Sequence, residues 1–363
     1  MKKIMFICNV ASAMKLFRLE LLERLQKENA VWIVAKFSND ELVYFSGRNF
    51  NCVNVDIDRR GKNIINDFVL FCRYISILNK IKPDIVLTYT IKPNIYGLIA
   101  CKIRNTCSIA TVEGLGSLFF GKKFFLTNLI KFIYGRSLNL ASKVFYLNDN
   151  IKLILKGIGV DEEKLTYTPG MGVNVDKFCL LPYEDNKNFN VLTIGRIMKE
   201  KGFDEMMAAM DRFYNSHTDL KWYICGKSEI GEEDILDKLL TRPWVRYLGQ
   251  VSDTRKVYSL SHVVLSATHH EGLSTVCLEA SACGRPIIGS NIPGVKEVID
   301  DGITGYLFSV KNSNEILEKL EKFYQLSFDK KVLMGKRGRT KVMKCFNRKN
   351  VNNLYVDVIY GKN

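Results

Sequence analysis

LLPYEDNKNFNVLTIGRIMKEKGFDEMMAAM (180–210) decides how this chain is divided. A polar, proline-bearing segment (180–189) closes one run of α/β sequence. NVLTIG (190–195) then opens a fresh apolar strand, and a new helix starts after Gly202. The same alternation of short β-rich runs with longer helical stretches extends in both directions. Toward the N-terminus the strand candidates are KIMFICN (3–9), VWIVAK (31–36), CVNVDI (52–57), DIVLTYT (84–90), CSIATV (107–112) and KVFYLN (143–148), separated by helical segments such as 15–28 and 66–81. Toward the C-terminus they are KWYICG (221–226), VRYLG (245–249), HVVLSAT (262–268), PIIGS (286–290) and GYLFSV (305–310). Strand-helix alternation of this kind predicts βαβ units and parallel sheets. The expected class is α/β, with two Rossmann-like doubly wound domains at 1–180 and 190–340 and a terminal helix within 341–363. Two such domains open a cleft at the carboxyl ends of their strands, so functional residues are expected in the loops that follow strands.

Composition agrees with two filled cores and narrows the function. The 363 residues are 47% hydrophobic, which excludes disorder. The ten cysteines are scattered without a CxxC spacing, so they read as small buried residues of a reducing compartment and not as a zinc site. MKKIMFICN begins like a secretion signal, but its apolar run stops at Asn9 and charged helical sequence follows, as a first buried strand requires. No run of about 18 apolar residues is present to span a bilayer.

The net charge is +15, and the first 180 residues hold most of the excess, with 26 Lys and Arg against 15 Asp and Glu. That bias favours an anionic membrane surface or a phosphorylated substrate. No RNP-like strand, zinc finger or long basic helix accompanies it, so an anionic membrane or a phosphorylated substrate is the better partner and no nucleic acid is expected.

The chemistry concentrates in HHEGLSTVCLEASACGRPIIGSNIPGVKEVIDDGITGYLF (269–308). Gly272, Ser274 and Thr275 form a turn with hydroxyl caps that opens a helix, and a helix N-terminus offers amide donors and a positive dipole end to phosphate. Glu279 falls about one turn into that helix, where a carboxylate suits the vicinal hydroxyls of a ribose; Glu271 precedes the turn and faces the sugar. Upstream, Gly195 and Arg196 follow a strand directly and Lys201 precedes Gly202. These two cations can neutralise a diphosphate, Arg196 with a forked head and Lys201 as a mobile point charge.

GR…KG (195–202), the E-x7-E pair (271–279), ASACGRPII (280–288) and IPGVKEVIDDGITGYLF (292–308) together resemble glycosyltransferase family 4, the retaining GT-B transferases. TYTIKPNIYG (88–97), the GLG of TVEGLGSLF (111–119), YLNDN (146–150) and PGMGVNVDKF (169–178) extend the resemblance into the first half. The similarity is greatest to the branch that extends lipid-linked or capsular oligosaccharides, including bacillosamine-linked N-acetylgalactosaminyltransferases. It implies a UDP-sugar donor with Arg196 and Lys201 on its diphosphate, Glu279 on the ribose and Glu271 on the transferred sugar. Backbone amides of Leu273, Ser274 and Thr275 would complete the phosphate cradle beside Gly272. It also implies retention of anomeric configuration, no metal and no cofactor, and a last helix that crosses back to the first domain.

The chain departs from the family pattern in two places. Where many relatives carry a histidine near 112–114, this sequence has Glu113, and all four histidines (His217, His262, His269, His270) lie in the second half. Glu113 is therefore the candidate for orienting the acceptor or acting as a base. The glycine-rich turn expected after the first strand is replaced by CNVASAM (8–14), where Ser12 can face the acceptor.

For the acceptor itself, 118–136 (LFFGKKFFLTNLIKFIYGR) combines six aromatics with Lys122, Lys123, Lys131 and Arg136 and no acid, a composition that suits an anionic membrane surface. Lys92, Lys122 and Lys123 are the candidates for the phosphates of a polyprenyl diphosphate acceptor. The expected location is the inner face of the cell membrane, peripherally bound. DID (56–58) is not read as a metal motif. Two other readings remain open at this point: a nucleotide-sugar epimerase of similar shape, and a non-catalytic sugar-nucleotide-binding protein.

Overall fold

Every strand pair among the described residues is parallel. The computed structural model describes residues 1–57, 64–114, 124–185 and 187–361, without the side chains of 64 and 124–126. The chain forms two compact units, one of Met1–Met171 with Asn350–Asn363, the other of Gly172–Lys349.

In the first unit, β1 (Lys3–Val10), β2 (Ala30–Lys36), β3 (Asn51–Asn54), β4 (Ile85–Tyr89), β5 (Cys107–Val112), β6 (Lys143–Tyr146) and β7 (Leu165–Tyr167) make a sheet of order β3-β2-β1-β4-β5-β6-β7. Its central strands are apolar on both faces because helices cover both. Ile4, Phe6 and Cys8 of β1 point into one core with Leu21, Leu22 and Leu25 and with Val351, Tyr355 and Ile359 of the last helix, Arg348–Ile359. The alternate residues Met5 and Ile7 point into the other, against Leu70, Tyr74 and Leu78 of the helix Ile64–Ile81. β7 was not expected from the sequence; three half-exposed or exposed residues at a sheet edge leave no periodic signal.

The reversal of strand order lies between β1 and β4, and a π-helical turn follows each of these strands, Met14–Arg18 after β1 and Pro93–Gly97 after β4. A single i→i+5 turn shifts helical register, and such turns recur at functional sites. The expected continuous helix over 15–28 is thereby split, with the regular part confined to Leu19–Gln26.

In the second unit, β8 (Phe189–Ile194), β9 (Leu220–Cys225), β10 (Val245–Gly249), β11 (Val263–Ser266), β12 (Ile287–Ser290) and β13 (Gly305–Phe308) run in the order β10-β9-β8-β11-β12-β13, reversing between β8 and β11. Trp222, Ile224, Phe203, Met206 and Phe213 fill its core. Residues 180–185 of the polar segment are tied into this unit: buried Arg285 donates to the carbonyls of Leu181 and Pro182, and Tyr183 donates through its hydroxyl to the His262 carbonyl at 2.7 Å. The helix Phe328–Cys345 also belongs here, and a Cβ on its Gly335 would stand 2.0 Å from the Gly284 carbonyl, so glycine lets it approach that closely.

All ten cysteines are unbridged. Five are buried, but Cys72, Cys107, Cys179 and Cys345 are exposed, so the reading of all ten as buried residues holds only in part.

Candidate active site

At the order reversal of a doubly wound sheet, the loops after the two flanking strands diverge and leave a crevice at their carboxyl ends. In the second unit those strands are β8 and β11, and the loops are 195–202 and 267–274. They are fastened to each other: the His269 amide donates to the Glu200 carbonyl at 2.8 Å. Gly202 has φ +75°, and a Cβ there would meet the Ala267 carbonyl oxygen at 2.2 Å, so the KG turn can press on the end of β11 only as glycine.

This junction brings Lys201 and Glu271 together. Lys201 Nζ lies 3.3 and 3.1 Å from the two Glu271 carboxylate oxygens and 3.3 Å from Thr268 Oγ1. Both side chains are about one quarter exposed. His269 Nε2 lies 3.1 Å from Glu205 Oε1, which commits that ring to a carboxylate behind the pair. Arg196 is exposed and pairs with Glu229 Oε2 at 2.6 Å; the loop carrying Glu229 is held by an isolated bridge between Ile197 and Ser228. The Gly195 amide is used by the Cys225 carbonyl at 2.9 Å.

The helix Thr275–Ala282 starts as the hydroxyl pattern predicts, with Ser274 as N-cap and its Oγ accepting from the Cys277 amide at 3.3 Å. Ser274's own amide, expected to line a phosphate cradle, donates to the Gly294 carbonyl at 2.8 Å. Helix geometry leaves the amides of Thr275 and Val276 without an intrahelical acceptor. Leu273 is buried, and Gly272 abuts Gly294, whose φ is +90° and whose Cβ would fall 2.7 Å from the carbonyl oxygens of both Glu271 and Gly272.

Glu279 lies on the same helix. Thr254 Oγ1 and Tyr258 OH both donate to its Oε2, each at 3.2 Å. Burial raises its pKa above the usual 4.5, and the bonds from Tyr258 and Thr254 oppose that rise. With both donors on one oxygen, Oε1 is the one open to a ligand hydroxyl.

In the first unit, Glu113 stands one residue past the end of β5 and accepts from Arg18 Nη2 at 3.1 Å. Ser12 is half-buried in the turn after β1. The Lys92 ammonium pairs with Asp67 at 2.6 Å, and both side chains are largely buried. Tyr96 OH donates to the other Asp67 oxygen at 3.0 Å. Lys122 and Lys123 lie outside the described residues, as do Leu115 and Gly116 of the GLG motif and Asp58 of DID. Asp56 forms an exposed pair with Lys36 at 2.8 Å. Among the described residues no group of three or more His, Cys, Asp or Glu could hold a metal ion, and no helix is long and apolar enough to cross a membrane.

Sequence reasoning missed Thr254, Tyr258, Glu229 and Arg18. Only Gly294 stood inside a stretch already singled out, and its meaning, a close backbone approach, could have been read from the proline-glycine pair at 293–294.

The family model described as glycosyl transferases group 1 matches residues 182–341, and the one described as glycosyl transferase 4-like matches residues 4–148. The chain is 27% identical to the N,N'-diacetylbacillosaminyl-diphospho-undecaprenol alpha-1,3-N-acetylgalactosaminyltransferase of Campylobacter jejuni, over 70% of this chain and 72% of that protein. It is 26% identical to the capsular polysaccharide biosynthesis glycosyltransferase CapM of Staphylococcus aureus, over 95% and 93% of the two chains. It is 24% identical to a UDP-Gal:alpha-D-GlcNAc-diphosphoundecaprenol alpha-1,3-galactosyltransferase of Escherichia coli, over 84% and 83%. Among solved structures, Anabaena HepE in complex with UDP and glucose superimposes with a TM-score of 0.83 at 14% identity, covering 99% of this chain and 100% of that one; this likeness concerns the fold alone.

Proposed function

We propose, since this chain belongs to the GT-B glycosyltransferases and joins a glycosyl transferase 4-like domain to a group 1 domain, that it moves a hexose or N-acetylhexosamine from a UDP-sugar to a polyprenyl diphosphate-linked acceptor in surface-glycan assembly. The observation that carries this reading is the Lys201–Glu271 pair at the order reversal of the second sheet, beside the N-terminus of the helix Thr275–Ala282. A cation, a carboxylate and a helix end within one crevice match a ligand that is anionic at one end and rich in hydroxyls at the other. The first unit takes the acceptor; its lipid-linked nature is supported by relatives named for undecaprenyl diphosphate substrates.

On binding, the donor diphosphate takes over Lys201 and Arg196, which are held in place by Glu271 and Glu229 until then. The Thr275 and Val276 amides add the helix dipole, Glu279 Oε1 accepts from the ribose and Glu271 from the transferred sugar. The acceptor oxygen attacks the anomeric carbon on the face the diphosphate leaves. The carbon-oxygen bond to phosphate breaks, and the acceptor proton passes to the departing phosphate oxygen. The product therefore keeps the donor's anomeric configuration. Charge builds on the leaving oxygens, where the two cations and the helix end stabilise it more in the transition state than in the ground state. Glu113 orients the acceptor hydroxyl.

Peripheral binding to the inner, anionic face of the membrane completes the proposal. The helix Phe124–Leu138 exposes Leu129, Phe132, Ile133 and Arg136, with the Arg136 guanidinium 5.3 Å from the Phe132 ring centre, an arrangement that supports insertion at a headgroup boundary.

Incubation with a panel of labelled UDP-sugars and a polyprenyl diphosphate-linked monosaccharide tests the activity, and transfer of label to lipid is expected. Interconversion of UDP-sugars without transfer would favour an epimerase, and calorimetry without binding of any UDP-sugar would remove the reading. Flotation with phosphatidylglycerol vesicles, strong for the wild type and weakened by Phe132→Ser, tests the membrane contact; equal flotation of both would sink it.

A further inference from the structure

Arg18 is the last residue of the π turn after β1 and is only 1% exposed. Its guanidinium lies between two aromatic rings, 5.1 Å from the centre of Tyr89 and 4.6 Å from that of Tyr355. Nη2 donates to Glu113 Oε1 at 3.1 Å and to Tyr355 OH at 3.1 Å. Nε and Nη1 have no hydrogen-bond partner among the described residues. Thr111 Oγ1, on β5, reaches the same Tyr355 hydroxyl at 3.2 Å. Four segments thus converge on one cation: the turn after β1, the end of β4, the end of β5 and the last helix.

A buried cation with two unfilled donors is a poor device for stability. An apolar side chain of similar volume between Tyr89 and Tyr355 would avoid the desolvation cost, and such replacements are often neutral or stabilising. What the arrangement does accomplish is local. The Glu113 carboxylate stays 28% exposed at the carboxyl end of a central strand, while one of its oxygens is fixed from behind by a donor that cannot lose its proton. Glu113 Oε2 has no partner among the described residues.

We propose that Arg18 is a positioning residue for the acceptor: it locks Glu113 in the orientation in which the second carboxylate oxygen receives the hydrogen bond of the incoming acceptor hydroxyl. The proposal rests on the transferase reading. It also explains how a carboxylate serves at a position where an imidazole was expected, because an imidazole beside this guanidinium would be two donors facing each other when protonated. Arg18 reaches no substrate atom itself; its effect passes through Glu113.

The test compares wild type, Arg18→Met, Arg18→Lys, Glu113→Gln and the Arg18→Met/Glu113→Gln double variant. Acceptor kcat/KM is measured with a polyprenyl diphosphate-linked monosaccharide at saturating UDP-sugar, UDP affinity by calorimetry, and thermal unfolding on the same samples. Glu113→Gln keeps the oxygen that Arg18 bonds, so it probes the charge without emptying the pocket. The expected result is a loss of about 10- to 100-fold in acceptor kcat/KM for Arg18→Met, a similar loss for Glu113→Gln, and no further loss in the double variant. UDP affinity stays within about twofold, and Arg18→Lys recovers part of the activity. If the two single losses multiply in the double variant, or if Arg18→Met melts lower with acceptor kinetics intact, Arg18 is structural and the proposal is overturned. Should Arg18→Met not fold, Arg18→Lys against Glu113→Gln decides by the same criterion. A wild type that binds UDP-sugars and transfers while the Arg18 variants match it defeats this inference alone; a wild type that does neither defeats the transferase reading as well.

Discussion

Lys201 Nζ sits 3.3 and 3.1 Å from the two carboxylate oxygens of Glu271, 70 positions along the chain, so the residue expected to grip phosphate and the residue expected to grip sugar grip each other. The charges are thereby held at the mouth of the crevice without being buried unpaired. A partly exposed pair of this kind contributes about 0–1 kcal/mol to stability, whereas the same groups acting on a transition state are worth several times that.

Lys201→Ala and Glu271→Ala should therefore each cut transfer by on the order of 100- to 1000-fold, while the melting temperature changes little. Activity assays with melting curves on the same samples check this, and full activity in either variant would displace the site.

Glu279 gives a pH signature. Its folded pKa is raised above 4.5 by burial, so the folded state holds the extra proton just above that value. Stability from this group is present at low pH and declines as pH rises through the window between 4.5 and the raised value. Donor binding, if the ribose sits on Glu279 as proposed, should run the other way, strengthening as the carboxyl ionises. Glu279→Gln should melt no lower than wild type at pH 7 and bind UDP about 10-fold more weakly, losing a charge-assisted bond. Calorimetry from pH 5 to 8 checks it, and an unchanged UDP affinity would separate Glu279 from the donor.

Gly202 and Gly231 form a matched pair for a steric test, with φ +75° and +85°. A Cβ at 202 strikes the Ala267 carbonyl, whereas at 231 it meets nothing within 4 Å. Gly231→Ala should cost about 1–2 kcal/mol from backbone conformation alone. Gly202→Ala should cost roughly 2–4 kcal/mol and impair transfer. Urea unfolding monitored through Trp222 and Trp244 measures both, and equal costs would deny the close contact.

His262 sets an acid limit on the second unit. Its Nδ1 accepts from the Asn190 amide at 2.9 Å, so Nε2 carries the proton and donates to the Glu184 carbonyl at 3.0 Å. Burial pushes its pKa below 6.5. The unfolded chain then binds more protons, so this contribution is complete above pH 6.5 and is lost as pH falls toward the folded value. Melting temperature should drop on acidification below 6.5, with a shallower slope in His262→Gln. An unchanged slope would assign the acid sensitivity elsewhere.

How much of this was legible in the sequence follows from the range of each interaction. The buried strands announced themselves because a parallel strand covered on both faces is a continuous apolar run, as in IMFIC of β1. β7 escaped because three edge residues carry no period. The candidates Arg196, Lys201 and Glu271 could be named because they occupy short turns and loops beside strands, and Glu279 because it falls about one turn into the helix that the Ser274 cap opens. Their partners could not. Tyr258 and Thr254 reach Glu279 from another helix and its cap, and Arg18 meets Glu113 across 95 positions. Asp67, the partner of Lys92, likewise comes from a different helix.

The last helix has one more consequence. Val351, Tyr355 and Ile359 are built into a core whose other walls come from the first 150 residues, so the opening half of a nascent chain leaves the ribosome with an unfinished interior. At translation speeds of about 5–20 residues per second, that interior waits on the order of ten seconds or more for its closing piece. Chaperones that shelter half-made proteins should therefore be recruited by the leading half, and a version rearranged so that 348–359 is synthesised first should need them less.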